Sequence, residues 1–216
     1  MWLWLAVMAS GLYHGANPGM GWPLAVSAGL MERSSRALFT ALGPLALGHL
    51  VAMLVVILPF ALLVGLVEWQ QQIRIGASLL VIAFGVFLLV HPRHPRALAR
   101  IRPTQLGLWS FAVAIAHGAG FMLLPIYLGL CRGADLGGGH EAAGALINDN
   151  VGIAVLVSFV HGAAMIAAGA VLAWLVYRHL GLKFVSRSWF NLDATWAISL
   201  ALVGALSLAF SLSGQH

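Results

Sequence analysis

The chain has 216 residues, 61% hydrophobic and only 8% charged, with a mean hydropathy of +0.95. A soluble globular chain carries about 25% charged residues, so these side chains cannot cover a water-facing surface and a soluble domain is excluded. The net charge of +5 does not signal nucleic-acid binding, because the basic residues fall in short segments between apolar runs, as membrane topology requires.

The expected fold is therefore all-α: one polytopic transmembrane domain over 1–216. A spanning helix needs about 20 mostly apolar residues. Six stretches meet this, at 2–29, 39–66, 73–90, 106–130, 151–177 and 193–213. The opening run MWLWLAVMAS lacks the basic start of a signal peptide and stays apolar beyond any cleavage site, so it reads as the first span. The lone Cys131 excludes an internal disulfide and a CxxC redox pair.

Nine of the eleven basic residues fall in alternate loops: Arg33 and Arg36, then Arg93, Arg96, Arg100 and Arg102, then Arg178, Lys183 and Arg187. The positive-inside rule puts those loops in the cytoplasm and both termini outside. A prokaryotic inner (plasma) membrane is the expected location. The outer loop after the fourth span is Gly-rich and carries Asp135, His140, Glu141 and Asp149. It reads as a flexible solvated loop, with a metal-collecting vestibule as the alternative. Asp193, at the start of the sixth span, reads as a helix cap. Trp2, Trp4, Trp22, Trp69, Trp109, Trp174 and Trp189 mostly fall near span ends, as in an aromatic belt.

Spans 1–3 and 4–6 resemble two copies of one unit, with repeat one at 1–92 and repeat two at 104–216. Span 1 carries Ser10-Gly11-Leu12-Tyr13-His14-Gly15-Ala16 followed by Pro18; span 4 carries Ala116-His117-Gly118-Ala119 followed by Pro125. His49-Leu50-Val51-Ala52-Met53 of span 2 matches His161-Gly162-Ala163-Ala164-Met165 of span 5, and Gly85 matches Gly204. An odd number of spans per unit turns the second copy upside down, the 3+3 inverted repeat of many transporters, whose site lies near the midplane.

His14, His49, His117 and His161 all lie near mid-span. Ionisable groups at that depth face the bundle interior and mark pathways or sites. One such histidine is most simply a structural group, but four at one depth are harder to assign to packing. Neutral imidazole is also the commonest metal ligand. Met53 and Met165 follow their histidines by four residues, on the same helical face, and Met20 follows His14 by six. Imidazole suits nickel, cobalt, zinc and copper, whereas a thioether selects Cu(I). Asn17-Pro18-Gly19 predicts a kink that frees backbone carbonyls, and Asn17 offers a further oxygen.

The stretch His14-Gly15-Ala16-Asn17-Pro18-Gly19-Met20 resembles the His-Ala-Leu-x-Pro-Gly-His signature of NicO-type nickel/cobalt transporters, within the LysE-like superfamily of small six-span carriers. The resemblance implies a metal carrier in which His14, Pro18 and Gly19 occupy motif positions. Met20 stands where the family has its second histidine, which leans toward a softer ion. The long His-rich cytoplasmic loop of the family is missing; only His91 and His94 stand in its place.

The leading expectation is a transition-metal transporter, with the ion as substrate at His14, His49, His117 and His161, flanked by Met53, Met165, Met20 and Asn17. No ATP-binding G-x-x-x-x-G-K-[ST] is present, so the drive would come from an ion gradient, protons or a partner protein. Two alternatives remain. One is a haem-binding redox protein using two facing histidines. The other is a non-catalytic subunit or assembly factor whose histidines bond helices together. Expected partners are the lipid bilayer, the metal ion, and a second copy or another membrane protein. No hydrolase motif of the G-x-S-x-G or H-E-x-x-H kind occurs, so no enzyme is expected.

Overall fold

The computed structural model describes residues 2–64, 70–91, 101, 103–130, 140–180 and 192–213. Those residues form helices and short turns, with no strand among them. In chain order the helices are α1 (Trp2–Ala16), α2 (Trp22–Met31), α3 (Ser35–Val64), α4 (Gln70–Val90), α5 (Leu106–His117), α6 (Ala119–Leu130), α7 (His140–Leu175) and α8 (Leu192–Ser213).

Three helical stretches are long and apolar enough to cross a membrane: Ser35–Leu63, Gln71–Val90 and Asp149–His179. The α5–α6 pair, bent by 64°, makes a fourth if it counts as one span. Large apolar side chains such as Leu47, Phe159, Leu206 and Phe210 stand exposed on the outside of the bundle. That is the surface a lipid solvent selects, because hydrocarbon imposes no cost on them.

The first expected span, 2–29, is not one helix. Pro18 has no N–H and its ring clashes with the carbonyl four residues back. Asn17 accordingly takes an extended conformation (φ −72°, ψ 120°), as the residue before proline does. A short 3-10 turn, Pro18–Met20, follows, and Gly21 at φ +100° starts α2. The span expected at 106–130 is broken as well, at Gly118, whose φ of +72° lies where a side chain is strained.

The outer loop expected after residue 130 is partly helical, since α7 begins at His140. Its backbone saturates its own hydrogen bonds, and 36 residues run unbroken to Leu175 before a π turn at Val176–Leu180. Asp135 and most of the basic loop residues (Arg93, Arg96, Arg100, Arg102, Lys183 and Arg187) lie outside the described residues.

Packing brings α1 along α7 and α5 along α3, crosses α3 with α7, and pairs α4 with α8. Glycines set the close approaches. A Cβ on Gly11 of α1 would lie 2.5 Å from the His161 carbonyl oxygen, and one on Gly15 would strike the Met165 carbonyl. Between α4 and α8 the approach is reciprocal: Gly85 sits on Ala197 and Ala201, and Gly204 sits on Ser78 and Ile82. Close backbone approach through small residues is how helices associate in lipid.

The described interior has three apolar layers. One gathers Val7, Met53, Ile57, Ala114, Leu123, Tyr127 and Val157. A second gathers Trp22, Val26, Leu38, Leu45, Leu106 and Ala173. The third is Val81, Met122 and Leu200. Trp22 is thus a core residue rather than part of an aromatic belt, because the break at 17–21 places it inside the bundle.

Gly85→Ala tests the α4–α8 crossing. Its new Cβ would lie 2.8 Å from the Ala201 nitrogen, a backbone atom that cannot swing aside. Overpacking of this kind costs about 1–3 kcal/mol. A clear fall in the thermal unfolding midpoint in detergent is expected, while Gly76→Ala on the same helix, with open space around it, leaves the midpoint near wild type. Equal midpoints for the two variants would rule out the crossing.

Candidate metal centre

Three histidines are buried in the interior. His14 sits in the last turn of α1, immediately before the break; His49 and His161 lie well inside α3 and α7. Their exposures are 0%, 1% and 0%. The ring centres of His14 and His49 are 5.0 Å apart, those of His14 and His161 5.5 Å, and those of His49 and His161 5.9 Å.

Three of the four expected histidines therefore share one place. Imidazoles bound to a single tetrahedral ion by metal–nitrogen bonds of about 2.0–2.1 Å have ring centres about 5 Å apart, so the spacing suits one shared ion. The orientations are not those of a filled site. His49 and His161 stack at an interplanar angle of 14°, which keeps their nitrogens from converging. Among the described residues no group of three or more His, Cys, Asp or Glu side chains is already arranged to hold an ion. Binding would require ring rotation about the Cβ–Cγ bonds, with little movement of the helices.

Ser10 fixes which nitrogen of His161 is available. Its hydroxyl donates to the Val7 carbonyl at 2.8 Å, and its Oγ lies 3.0 Å from His161 Nδ1. A hydroxyl has one proton to give, so Ser10 accepts from Nδ1–H and the lone pair of His161 rests on Nε2. That Nε2 is buried with no hydrogen-bond partner, and so is Nε2 of His49. A buried polar atom left in that condition costs about 1–3 kcal/mol. Two such atoms, on rings whose centres lie 5.9 Å apart, are what a ligand site would require. The outer-shell role of Ser10 follows the pattern in which a ligating histidine gives its other ring N–H to a neighbour. Sequence inspection passes over Ser10, since a membrane serine commonly bonds its own helix. Its only signal is its place one turn before His14.

His117 occupies a different position. It ends α5 beside Gly118 and is half-buried. Its Nδ1 lies 3.0 Å from the Val113 carbonyl oxygen, which can only accept, so Nδ1 carries a proton. A Cβ on Gly19 would lie 3.6 Å from its Nε2, which places the ring beside the 17–19 turn.

The methionines separate. Met20 and Met165, both buried, line a small void with Gly15, Trp22 and Gly169. Met53 packs within the first apolar layer. The Oδ1 of Asn17 accepts from the Gly19 N–H at 2.9 Å, so it caps the turn. Asp149 is exposed, and the side chains of Asp193, His140 and Glu141 lie outside the described residues. Comparison with protein-family models, curated proteins and solved structures gave no match.

Ser10→Ala removes the acceptor of His161 Nδ1–H. The orphaned donor should lower stability by about 1–3 kcal/mol. Nitrogen-15 NMR of the ring should show the Nδ1–H form in wild type and a shift toward Nε2–H in the variant. A wild-type His161 already in the Nε2–H form would refute the assignment.

Proposed function

We propose that the chain is a transition-metal carrier of NicO-like plan, a six-span inverted repeat in an inner membrane with both termini outside. The observation that carries this reading is the buried cluster of His14, His49 and His161, with the Nε2 atoms of His49 and His161 lacking hydrogen-bond partners. The ion is the substrate. His14, His49 and His161 are its ligands, Met20 and Met165 lie alongside, and His117 faces the turn at the helix break.

Three observations support the repeat. The first span of each expected repeat, with His14-Gly15 in one and His117-Gly118 in the other, is broken just after its histidine, at 17–21 and at Gly118. The contacts pair α1 with α7 and α5 with α3, as exchange of the two halves requires. The glycine crossing of α4 and α8 is also reciprocal under that exchange: the spacing from Gly85 to Gly204 equals that from Ser78 to Ala197 and from Ile82 to Ala201. Broken helices at the midplane are where such carriers hold their ions.

A haem is less well served by this cluster. Two axial imidazoles must face each other across a wide flat ring, but His14 packs against both His49 and His161.

The purified chain should bind about one ion per chain in titrations with nickel, cobalt, zinc, or copper with and without reductant. His49→Ala and His161→Ala should each weaken binding by more than the roughly 10–100-fold that loss of an outer-shell partner costs. Ion flux into vesicles containing the protein should fall in parallel. Failure of all four metals to bind would end this reading.

A further inference from the structure

We infer that the site selects a singly charged soft ion, Cu(I), over divalent nickel or cobalt. This rests on the carrier reading above and specifies its substrate.

The first ground is charge. Every buried polar side chain among the described residues is a serine, an asparagine or a histidine. Histidine binds metal as the neutral imidazole, so the ligands at the cluster bring no negative charge. Of the six acidic residues, Glu32 and Asp149 are exposed. Glu141 is placed at the far start of α7, about 30 Å of helix from His161 at 1.5 Å per residue. Glu68 and Asp135 lie outside the described residues, and Asp193 is the second residue of α8. Among the described side chains no carboxylate is buried.

The backbone supplies only a partial counter-charge. The carboxyl end of α1 stops at the cluster and carries about −0.5 of a charge. That of α5 stops at His117, but α6 starts at Ala119 with the opposite sign and cancels part of it. The fixed negative potential is therefore less than about one charge. Born desolvation grows with the square of the charge, so a divalent ion would face about four times the cost of a monovalent one here.

A divalent ion on neutral imidazoles can offset its charge by ionising a bound water, as zinc does in open catalytic sites. Cu(I) binds with few ligands and needs no such water.

The second ground is independent of charge. Met20, from the turn between α1 and α2, and Met165, from α7 one turn after His161, line the same void, and so does Gly15, which follows His14 in the chain; a thioether favours Cu(I) over harder divalent ions.

The test uses the purified full chain in lipid nanodiscs. Cu(I), kept reduced by ascorbate and measured against a colorimetric cuprous chelator, is compared with Ag(I) as a redox-inert substitute and with Ni(II), Co(II) and Zn(II). Cu(I) and Ag(I) should each bind, and a large excess of the divalent ions should not displace them. The double variant Met20→Leu/Met165→Leu should lose roughly tenfold or more in Cu(I) affinity; unchanged affinity would overturn the thioether ground. Nickel or cobalt binding as tightly as Cu(I), or displacing it at equal concentration, would overturn the inference while leaving the carrier reading in place. Absence of binding by either class of ion would remove both.

Discussion

The hydrogen bond from His161 to Ser10 is the contact on which the centre depends. It forms because Gly11, next to Ser10, has no side chain to hold α1 away from the His161 carbonyl. In a bilayer no water can substitute for such a partner. Once α1 lies on α7 at this level, His14 follows one turn later and its ring meets those of His161 and His49. The same bond sets the protonation pattern of His161 and turns its Nε2 into an acceptor with no hydrogen bond. The protein bears that cost in its interior, which argues for a use beyond packing.

The two breaks explain why this level is special. A continuous helix would carry its apolar face past the histidines without change. Here α1 stops at the cluster, turns through Pro18–Met20 under the Asn17 cap, and restarts at Trp22. The chain can then bury Trp22 in the second apolar layer while keeping Val7 in the first. His14 is the last buried ring before that break, and it packs with His49 and His161.

Much of this was legible in the sequence. Apolar length alone outlines the helices, and a polar ring in mid-span must turn inward, so His14, His49 and His161 could be expected together. The breaks were signalled by Asn17-Pro18-Gly19 and less clearly by Gly118. Other features depend on neighbours that spacing cannot reveal. Met53 and Met165 share one spacing from their histidines, yet one is enclosed by Ile57 and Leu123 and the other borders the void next to Met20. Ser10 looks no different in sequence from Ser158 and Ser211, which bond carbonyls of their own helices; it also bonds its own helix, and only the approach of α7 gives it a second partner. His117 shares the depth of the others, but its place at a helix end leaves it half exposed.

On the carrier reading proposed above, the chain has to release what it binds, and the placement of the three histidines bears on that requirement. His49 and His161 belong to α3 and α7, long helices that cross each other in the bundle. Their relative positions are held by packing along the whole crossing. His14 belongs to the final turn of a 15-residue helix and is followed by Gly15 and a turn with few helical hydrogen bonds. Two donors thus sit inside long helices and one at a helix end. A small rotation of α1 on its Gly11–Gly15 face would move His14 relative to His49 and His161, and Val7 and Ser10 of the same helix would move with it. Neutral ligands work in the same direction, since an ion held without a carboxylate leaves behind no buried charge.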